Sequence, residues 1–455
     1  MDKARLCIGC GACAAGDAIA AVGRPMDWDA FGQLKPRGPW AEQHRAEFAR
    51  ICPFSPEAAD EDEIAQDRFG ISSEEDPRLG QFETAYVGYA AEGRFREIGS
   101  SGGMVSWVAA ELLAQGLIDG VAHVVPADPS DQGRFFAYRI SRSVDELGEG
   151  AKSRYYPVEL SGVLEEIRSR PGRYAIVGIP CFMKAVHLLR AQDPVLRARI
   201  VYTLGLFCGH MKSARFVESF AWQLQAPIEE VRAVEYRRKD PDRPANWYTA
   251  HLTLTDGSAR WQDWWHLADG DWGAGFLQNA ACSYCDDIVS ETADVAFGDA
   301  WVEPYSFDGR GTNVVIVRNR QIGALIGQAM VEGRLALTEV DADFVARTQA
   351  AGIRQRREGL AYRLAFAPPA LPLRKRVAAS RDIPARRKLI YRMRRWISLH
   401  GHLVFAAARR WDRPSVYLRW ARTANSLYEA AAYLRGPLGR LLARLEPGKD
   451  RDASA

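Results

Sequence analysis

The sequence predicts an α/β core with a cysteine-rich N-terminal segment and a basic α-helical C-terminal extension. Three observations predict it. Short β-rich apolar runs alternate with stretches of helical periodicity between residues 85 and 320. Eight cysteines fall into two sets of four, the first complete by Cys52. Residues 370–455 hold 20 Lys/Arg against 6 Asp/Glu, a balance of +14 in a chain whose net charge is +3. The remainder therefore carries −11, and the tail reads as a separate physical object from an acidic body. A length of 455 residues leaves room for two or three domains. Their boundaries read as 1–80, 81–345 and 346–455.

Residues 1–80 are loop-rich, with Pro25, Pro36, Pro39, Pro53 and Pro56 and the acidic run Asp60–Glu63. From Ala85 the pattern changes. Strands are expected at Ala85–Ala90, Val121–Val125, Phe135–Ile140, Tyr174–Val177, Ile200–Leu204, Ala293–Phe297 and Asn313–Val317. Met104–Gln115, Leu160–Ser169, Phe182–Ala191 and Ala214–Leu224 space apolar residues by three and four, as helices do. Such alternation argues for a substantially parallel sheet. Beyond residue 345 the chain reads as helical and arginine-rich. Pro368, Pro369 and Pro372 mark a linker, and Pro447–Ala455 a frayed end. The longest apolar runs, Met104–Ala114 and Trp396–Ala408, fall short of the roughly 20 residues that span a bilayer. No apolar leader precedes Cys7. These features place the chain in the cytoplasm, where clustered cysteines act as metal ligands more readily than as disulfides.

The run Cys7-Ile8-Gly9-Cys10-Gly11-Ala12-Cys13 puts three thiols on one short loop, and Cys52 is followed by Pro53. Three closely spaced cysteines with a remote Cys-Pro step are the ligand pattern of a 4Fe–4S cluster in bacterial ferredoxins. The N-terminal segment is therefore read as an iron–sulfur, ferredoxin-like one. Zinc or a disulfide are the alternatives, although zinc sites usually draw their ligands from two separated pairs. The second set is Cys181, Cys208, Cys282 and Cys285. Cys181 and Cys208 follow expected strands directly, and the Cys282–Cys285 pair precedes another. In open α/β sheets ligands bind beyond the carboxyl ends of the strands, so the four thiols can meet at one sheet edge. A second cluster, a zinc site and plain buried thiols all fit that spacing.

Gly99-Ser100-Ser101-Gly102-Gly103 precedes the helix at Met104. It reads either as an anion cradle for a nucleotide phosphate or as an ordinary N-cap. Lys152-Ser153-Arg154-Tyr155 adds charge and an aromatic ring, or is a solvated turn.

Six ordered segments then carry a resemblance: Gly99–Val125, Lys152–Tyr155, Val177–Cys181, Leu204–Cys208, Cys282–Asp286 and Ala293–Trp301. Together they resemble the beta-subunit family of coenzyme F-420 hydrogenase and dehydrogenase. That family also includes 7-hydroxymethyl chlorophyll reductase, a divinyl chlorophyllide vinyl reductase and proteins of bacterial polysaccharide clusters. The resemblance covers roughly residues 5–320. It implies FAD and at least one 4Fe–4S cluster, with N-terminal clusters added in some members. By that resemblance, Cys181, Cys208, Cys282 and Cys285 hold the cluster nearest the flavin. Ser100, Ser101, Gly102, Gly103, Lys152, Ser153 and Tyr155 contact FAD, with Asp299 and Asn313 as further contacts. Gly209–Ser213 resembles the polysaccharide-cluster members more than the hydrogenase subunit.

The function this implies is an FAD-dependent iron–sulfur oxidoreductase with two 4Fe–4S clusters. Electrons pass from a ferredoxin-type carrier through the outer and inner clusters to FAD and a small-molecule substrate, or in reverse. His210 is a candidate proton donor, or else a histidine bonded to a loop carbonyl. Lys212 is a candidate holder of an acidic substrate group. Two other functions remain: an electron-transfer subunit serving a partner enzyme, and a non-catalytic cluster-bearing membrane adaptor. The tail interleaves arginines with large aromatics. It reads as a peripheral contact with the anionic inner face of the membrane or as helices clamped on the acidic body. No nucleic-acid motif accompanies its charge.

Overall fold

The structure, a computed structural model, describes residues 6–15, 26–38, 45–70, 72–368 and 373–445. An eight-stranded mixed sheet forms its centre. In chain order its strands are β1 (Thr84–Ala90), β2 (Gly120–Pro126), β3 (Phe136–Ser141), β4 (Tyr174–Gly178), β5 (Ile200–Leu206), β6 (Val295–Asp299), β7 (Asn313–Val317) and β8 (Leu335–Val340). Across the sheet they lie in the order β8-β1-β7-β6-β5-β4-β2-β3. The middle four, β2, β4, β5 and β6, run parallel, while both flanks are antiparallel. A substantially parallel sheet is thus found only at the centre. At the flanks β3 and β7 return without a full crossover helix and so pair antiparallel.

Period-two alternation decides which residue faces which layer. On β4, Ala175 and Val177 face a core with Met104–Ala114 and Arg320–Val331, whose Trp107, Leu112, Ile322 and Ile326 are buried. Ile176 faces the opposite layer, built by Ser161–Ser169 and Pro180–Gln192 through Leu164, Ile167, Phe182 and Val186. Each large apolar side chain so buried stabilises the fold by about 1.5–3 kcal/mol. All seven expected strands and four expected helices are present, within two or three residues at their ends.

The sequence reading missed a second core. Val231–Arg238, Thr249–Leu254 and Ala259–Asp263 form a three-stranded antiparallel sheet. It packs with Arg215–Gln223 and with two long tail helices, Ala385–Arg410 and Pro414–Tyr433. Phe216, Phe220, Tyr236 and Trp264 meet Ile397, Phe405 and Tyr417 in that core. The inner side of the tail is therefore part of the body, not a separate object. Residues 1–80 also hold more structure than expected. Helices Arg45–Ile51 and Glu61–Phe69 form there, the second started by a capping box in which Asp60 accepts from the Glu63 N–H and Glu63 from the Asp60 N–H. The acidic run is thus a helix start. Pro25, Pro39, Pro369, Pro372 and Pro447–Ala455 lie outside the described residues.

Candidate metal centre and adjoining cleft

All eight cysteines are free thiols. Cys7 and Cys10 sit on the N-terminal loop, Cys13 on the turn Ala12–Ala15, and Cys52 directly after the helix Arg45–Ile51. Gly9 and Gly11 have positive φ, +80° and +77°. A Cβ at Gly9 would meet the Leu34 carbonyl oxygen at 2.5 Å, and one at Gly11 would run into the Glu159 carboxylate. Backbone conformation and close approach therefore require glycine at both places. The loop is tied down by the Leu160 N–H, which donates to the Cys10 carbonyl at 2.9 Å, and by the Lys35 ammonium on the Cys7 carbonyl. Burial pushes the thiols of Cys10, Cys13 and Cys52 up, Cys52 to about 11, and the neighbouring thiols of the set add to the shift.

The second set gathers where the strand topology directs it. Cys181 lies in the first turn of Pro180–Gln192, straight after β4, and Cys208 just beyond β5. Cys282 and Cys285 come from and follow the turn Ala280–Tyr284. The four line one small cavity. Ile8 and Phe54, from the two segments that carry the first set, line the same cavity. A single zinc ion needs its four thiolates about 2.3 Å from one point. Among the described residues no three His, Cys, Asp or Glu side chains are grouped to hold one ion. Four thiols spread around a volume fit a cubane cluster better than a lone ion.

Arginines and a lysine from beyond residue 345 close this site. Arg356 donates to the carbonyls of Cys282, Cys208 and Gly209, the last at 2.5 Å. Its charge pulls the thiols of Cys208, Cys282 and Cys285 downward, against burial, which still leaves Cys285 at about 11. Arg363 donates to the Ser283 carbonyl at 2.6 Å. Lys375 pairs with Asp286 at 2.9 Å, and Arg376 grips Glu291 at 2.6 and 2.8 Å and Asp62 at 2.7 Å. Loading iron requires these thiols to lose their protons, and a cationic shell favours that loss.

From Cys208 a ladder of rings leads to the expected cofactor residues. His210 stacks on Trp272 at 4.0 Å, and Trp272 meets Tyr155 at 4.7 Å. His210 is buried, with Nδ1 3.4 Å from Arg394 and Nε2 unpartnered. Burial, Lys212, Arg394 and Arg356 hold its imidazole well below the ordinary range. These influences favour its neutral form. Lys212 donates to the Phe276 carbonyl at 2.7 Å and lies over the faces of Phe216 and Trp272 at 4.5 and 4.9 Å. Burial lowers it to about 7. So enclosed, it fastens the loop.

The Ser/Gly segment and its neighbours do converge. The Ser153 N–H donates to Ser100 Oγ at 2.8 Å, and Ser101 Oγ donates to the Thr312 carbonyl at 3.0 Å. Lys152 pairs with Glu235 at 3.1 Å, and Asp299 with buried Arg237 at 2.9 Å. Asn313 accepts from the Met104 N–H at 3.1 Å, which occupies the donor an anion at that helix start would use. A Cβ at Gly102 would meet the Gly88 carbonyl oxygen at 2.7 Å, and Gly103 needs its φ of +82°. Packing accounts for both glycines. Beside Ser100 a narrow cleft is lined by Arg237, Arg238, Lys239, Trp247 and Tyr248. Cations and rings suit a phosphate and an aromatic system. The cleft is narrow as it stands, so a whole FAD requires it to widen.

Sequence reasoning missed Trp272, Arg237 and Arg356. Trp272 stands in a loop without periodicity, and a Cβ at Gly209 would meet its indole nitrogen at 2.5 Å. That glycine beside a cysteine was the available signal.

A sheet that delivers four thiols to one cavity, beside a second thiol set, defines an α/β protein with a candidate metal centre. The chain belongs to the coenzyme F420 hydrogenase/dehydrogenase beta-subunit family: the model of the N-terminal part matches residues 85–165 and that of the C-terminal part residues 172–343. Among solved structures, the fold is similar to a chain of the F420-reducing [NiFe] hydrogenase complex from Methanosarcina barkeri. Identity is 18%, the TM-score is 0.50, and the match covers 67% of this chain and 99% of that one. No curated protein matches.

Proposed function

We propose that this chain is an iron–sulfur flavoprotein oxidoreductase linking a ferredoxin-type carrier to a small-molecule substrate. Cys7, Cys10, Cys13 and Cys52 hold an outer 4Fe–4S cluster, and Cys181, Cys208, Cys282 and Cys285 an inner one. FAD lies at the Ser100, Lys152, Ser153 and Tyr155 end, where it supplies the exchange between one-electron and two-electron chemistry. The observation that carries the reading is the shared cavity: residues of the outer set's loops form a wall of the inner set's site. Two clusters so placed work in series. The chain's own groups position and insulate. Arg356 fixes the ligand loops, and the His210–Trp272 stack excludes water on the cleft side. Lys212 fastens the loop on which His210 sits.

The similarity of Gly209–Ser213 to polysaccharide-cluster members points to a substrate in polysaccharide biosynthesis. An anionic membrane surface completes the set of partners, met by the basic helices. The second reading is an electron-transfer subunit for a partner enzyme, favoured by the likeness to a chain found within a hydrogenase complex.

Anaerobic reconstitution with iron, sulfide and FAD tests the proposal. The expected protein holds about eight iron per chain and retains flavin through gel filtration. A reduced ferredoxin then bleaches the flavin, and a metabolite re-oxidises it. Re-oxidation by a partner protein alone favours the second reading, and no retained flavin overturns the first.

A further inference from the structure

The two long tail helices are divided lengthwise. Their inner stripe, with Ile390, Ile397, Phe405, Tyr417 and Tyr428, is buried in the second core. The outer stripe of Ala385–Arg410 is apolar as well, yet it faces outward. Leu389, Trp396, Leu399 and Leu403 are 42%, 45%, 48% and 56% exposed. Their spacing of seven, three and four residues sets them on one line along the helix. The following helix, Gly436–Leu445, extends the same character with exposed Leu438 and Leu441.

Charge on this surface is equally one-sided. Residues 385–433 hold eleven Lys/Arg against only Asp412 and Glu429. The cations on the inner side are engaged: Arg387 pairs with Glu358 at 3.0 Å, Arg394 donates to the Gly273 carbonyl, and Arg386 donates to the Ala431 carbonyl at 2.8 Å. Arg409 reaches Glu218 at 2.8 Å. By contrast, the structure gives the side chains of Lys388, Arg395, Arg410, Arg413, Arg419 and Arg422 no hydrogen-bond or ion-pair partner among the described residues.

We infer that the outer face of this helical pair docks on an anionic lipid bilayer, lying in the interface with the Leu389–Leu403 line toward the acyl chains and the unpaired cations toward phosphate headgroups. This deepens the membrane partner named above and is independent of the redox reading. A second copy of the chain is disfavoured, because a two-fold contact would bring two strongly cationic faces together. Nucleic acid gains nothing from a line of leucines. A bilayer takes both features at once: apolar residues with Trp at the boundary, and cations at the headgroups. No helix among the described residues is long and apolar enough to cross the membrane, so the contact is an in-plane one.

Flotation of the full-length, cluster-loaded protein with vesicles tests the inference. The protein is expected to float with equal parts phosphatidylglycerol and phosphatidylcholine, to stay behind with phosphatidylcholine alone, and to release in high salt. Arg419→Gln with Arg422→Gln should weaken partition about 25-fold, roughly fivefold per cation. Leu399→Ser with Leu403→Ser should weaken it further while iron content stays unchanged, because neither side chain belongs to the buried core. Absence of flotation with anionic vesicles overturns the inference. So does flotation indifferent to these four substitutions, or a dimer that the same substitutions abolish. Activity with a soluble substrate is unaffected by either result, which keeps this outcome distinct from failure of the redox reading.

Discussion

Replacing Arg356 with glutamine tests the charge that the extension places under the inner cysteine set. The guanidinium is 3% exposed and donates to three carbonyls of the ligand loops. At contact distance a unit charge is worth about 4 kcal/mol at an effective dielectric near 20. Half of that, for charge spread over a cluster, is about 2 kcal/mol, or roughly 80 mV for a one-electron couple. The cation favours the more negative, reduced cluster. The midpoint potential should therefore fall by that amount in Arg356→Gln and move little in Arg356→Lys. An anaerobic redox titration followed by electron paramagnetic resonance reads it, with iron measured on the same sample. An unchanged midpoint at full iron content refutes the reasoning. An equal fall in the lysine variant removes charge as the cause.

Arg376→Ala should destabilise the protein by about 1–3 kcal/mol, because it removes two charged hydrogen bonds from Glu291, whose side chain is 2% exposed, and leaves it only Arg357 at 3.6 Å; a urea midpoint no lower than wild type would show that the clamp does not hold. Cys10→Ala should lower iron from about eight to about four per chain and block reduction by ferredoxin, while Cys285→Ala should also disturb the flavin; equal flavin loss in both would undo the outer and inner assignment. His123 gives a pH test. Burial and then Arg139 hold it down to about 4, and its Nε2 lies 2.7 Å from Ser141 Oγ. Its folded pKa lies below the unfolded value of about 6.5, so the unfolded chain binds the extra proton between those values. Its contribution is present above pH 6.5 and lost as pH falls toward 4, up to about 3 kcal/mol. His123→Gln should lose less stability between pH 7 and pH 5 than wild type; parallel losses would assign the acid sensitivity elsewhere.

Much of the fold was legible because its strands are unusually apolar. Asn313–Val317 and Tyr174–Gly178 are buried at every position, and such runs announce themselves. The three-stranded sheet did not, since Val231–Arg238 interleaves Arg232, Glu235, Arg237 and Arg238 with its apolar residues. Both cysteine sets were legible because ligand chemistry allows few substitutes. The arginines were not. Arg356 and Arg394 point inward at backbone carbonyls, and a carbonyl leaves no mark in a sequence, so both read as surface charge. The Gly99–Gly103 segment stayed ambiguous for a related reason: glycine demanded by a close backbone neighbour looks the same as glycine left open for a phosphate.

The position of Arg356, Lys375 and Arg394 along the chain also sets an order of assembly. The first four thiols are on the nascent chain once Cys52 has emerged, but the last of these cations, Arg394, comes 109 positions past Cys285, after Arg356 at 71 and Lys375 at 90. At about 5–20 residues per second that delay is roughly 5–20 s. During it, Cys181, Cys208, Cys282 and Cys285 face the cell without their cationic cover. A ribosome stalled, or a message cut short, between residues 285 and 394 would release a chain with an open thiol nest, ready to scavenge stray metal or to oxidise.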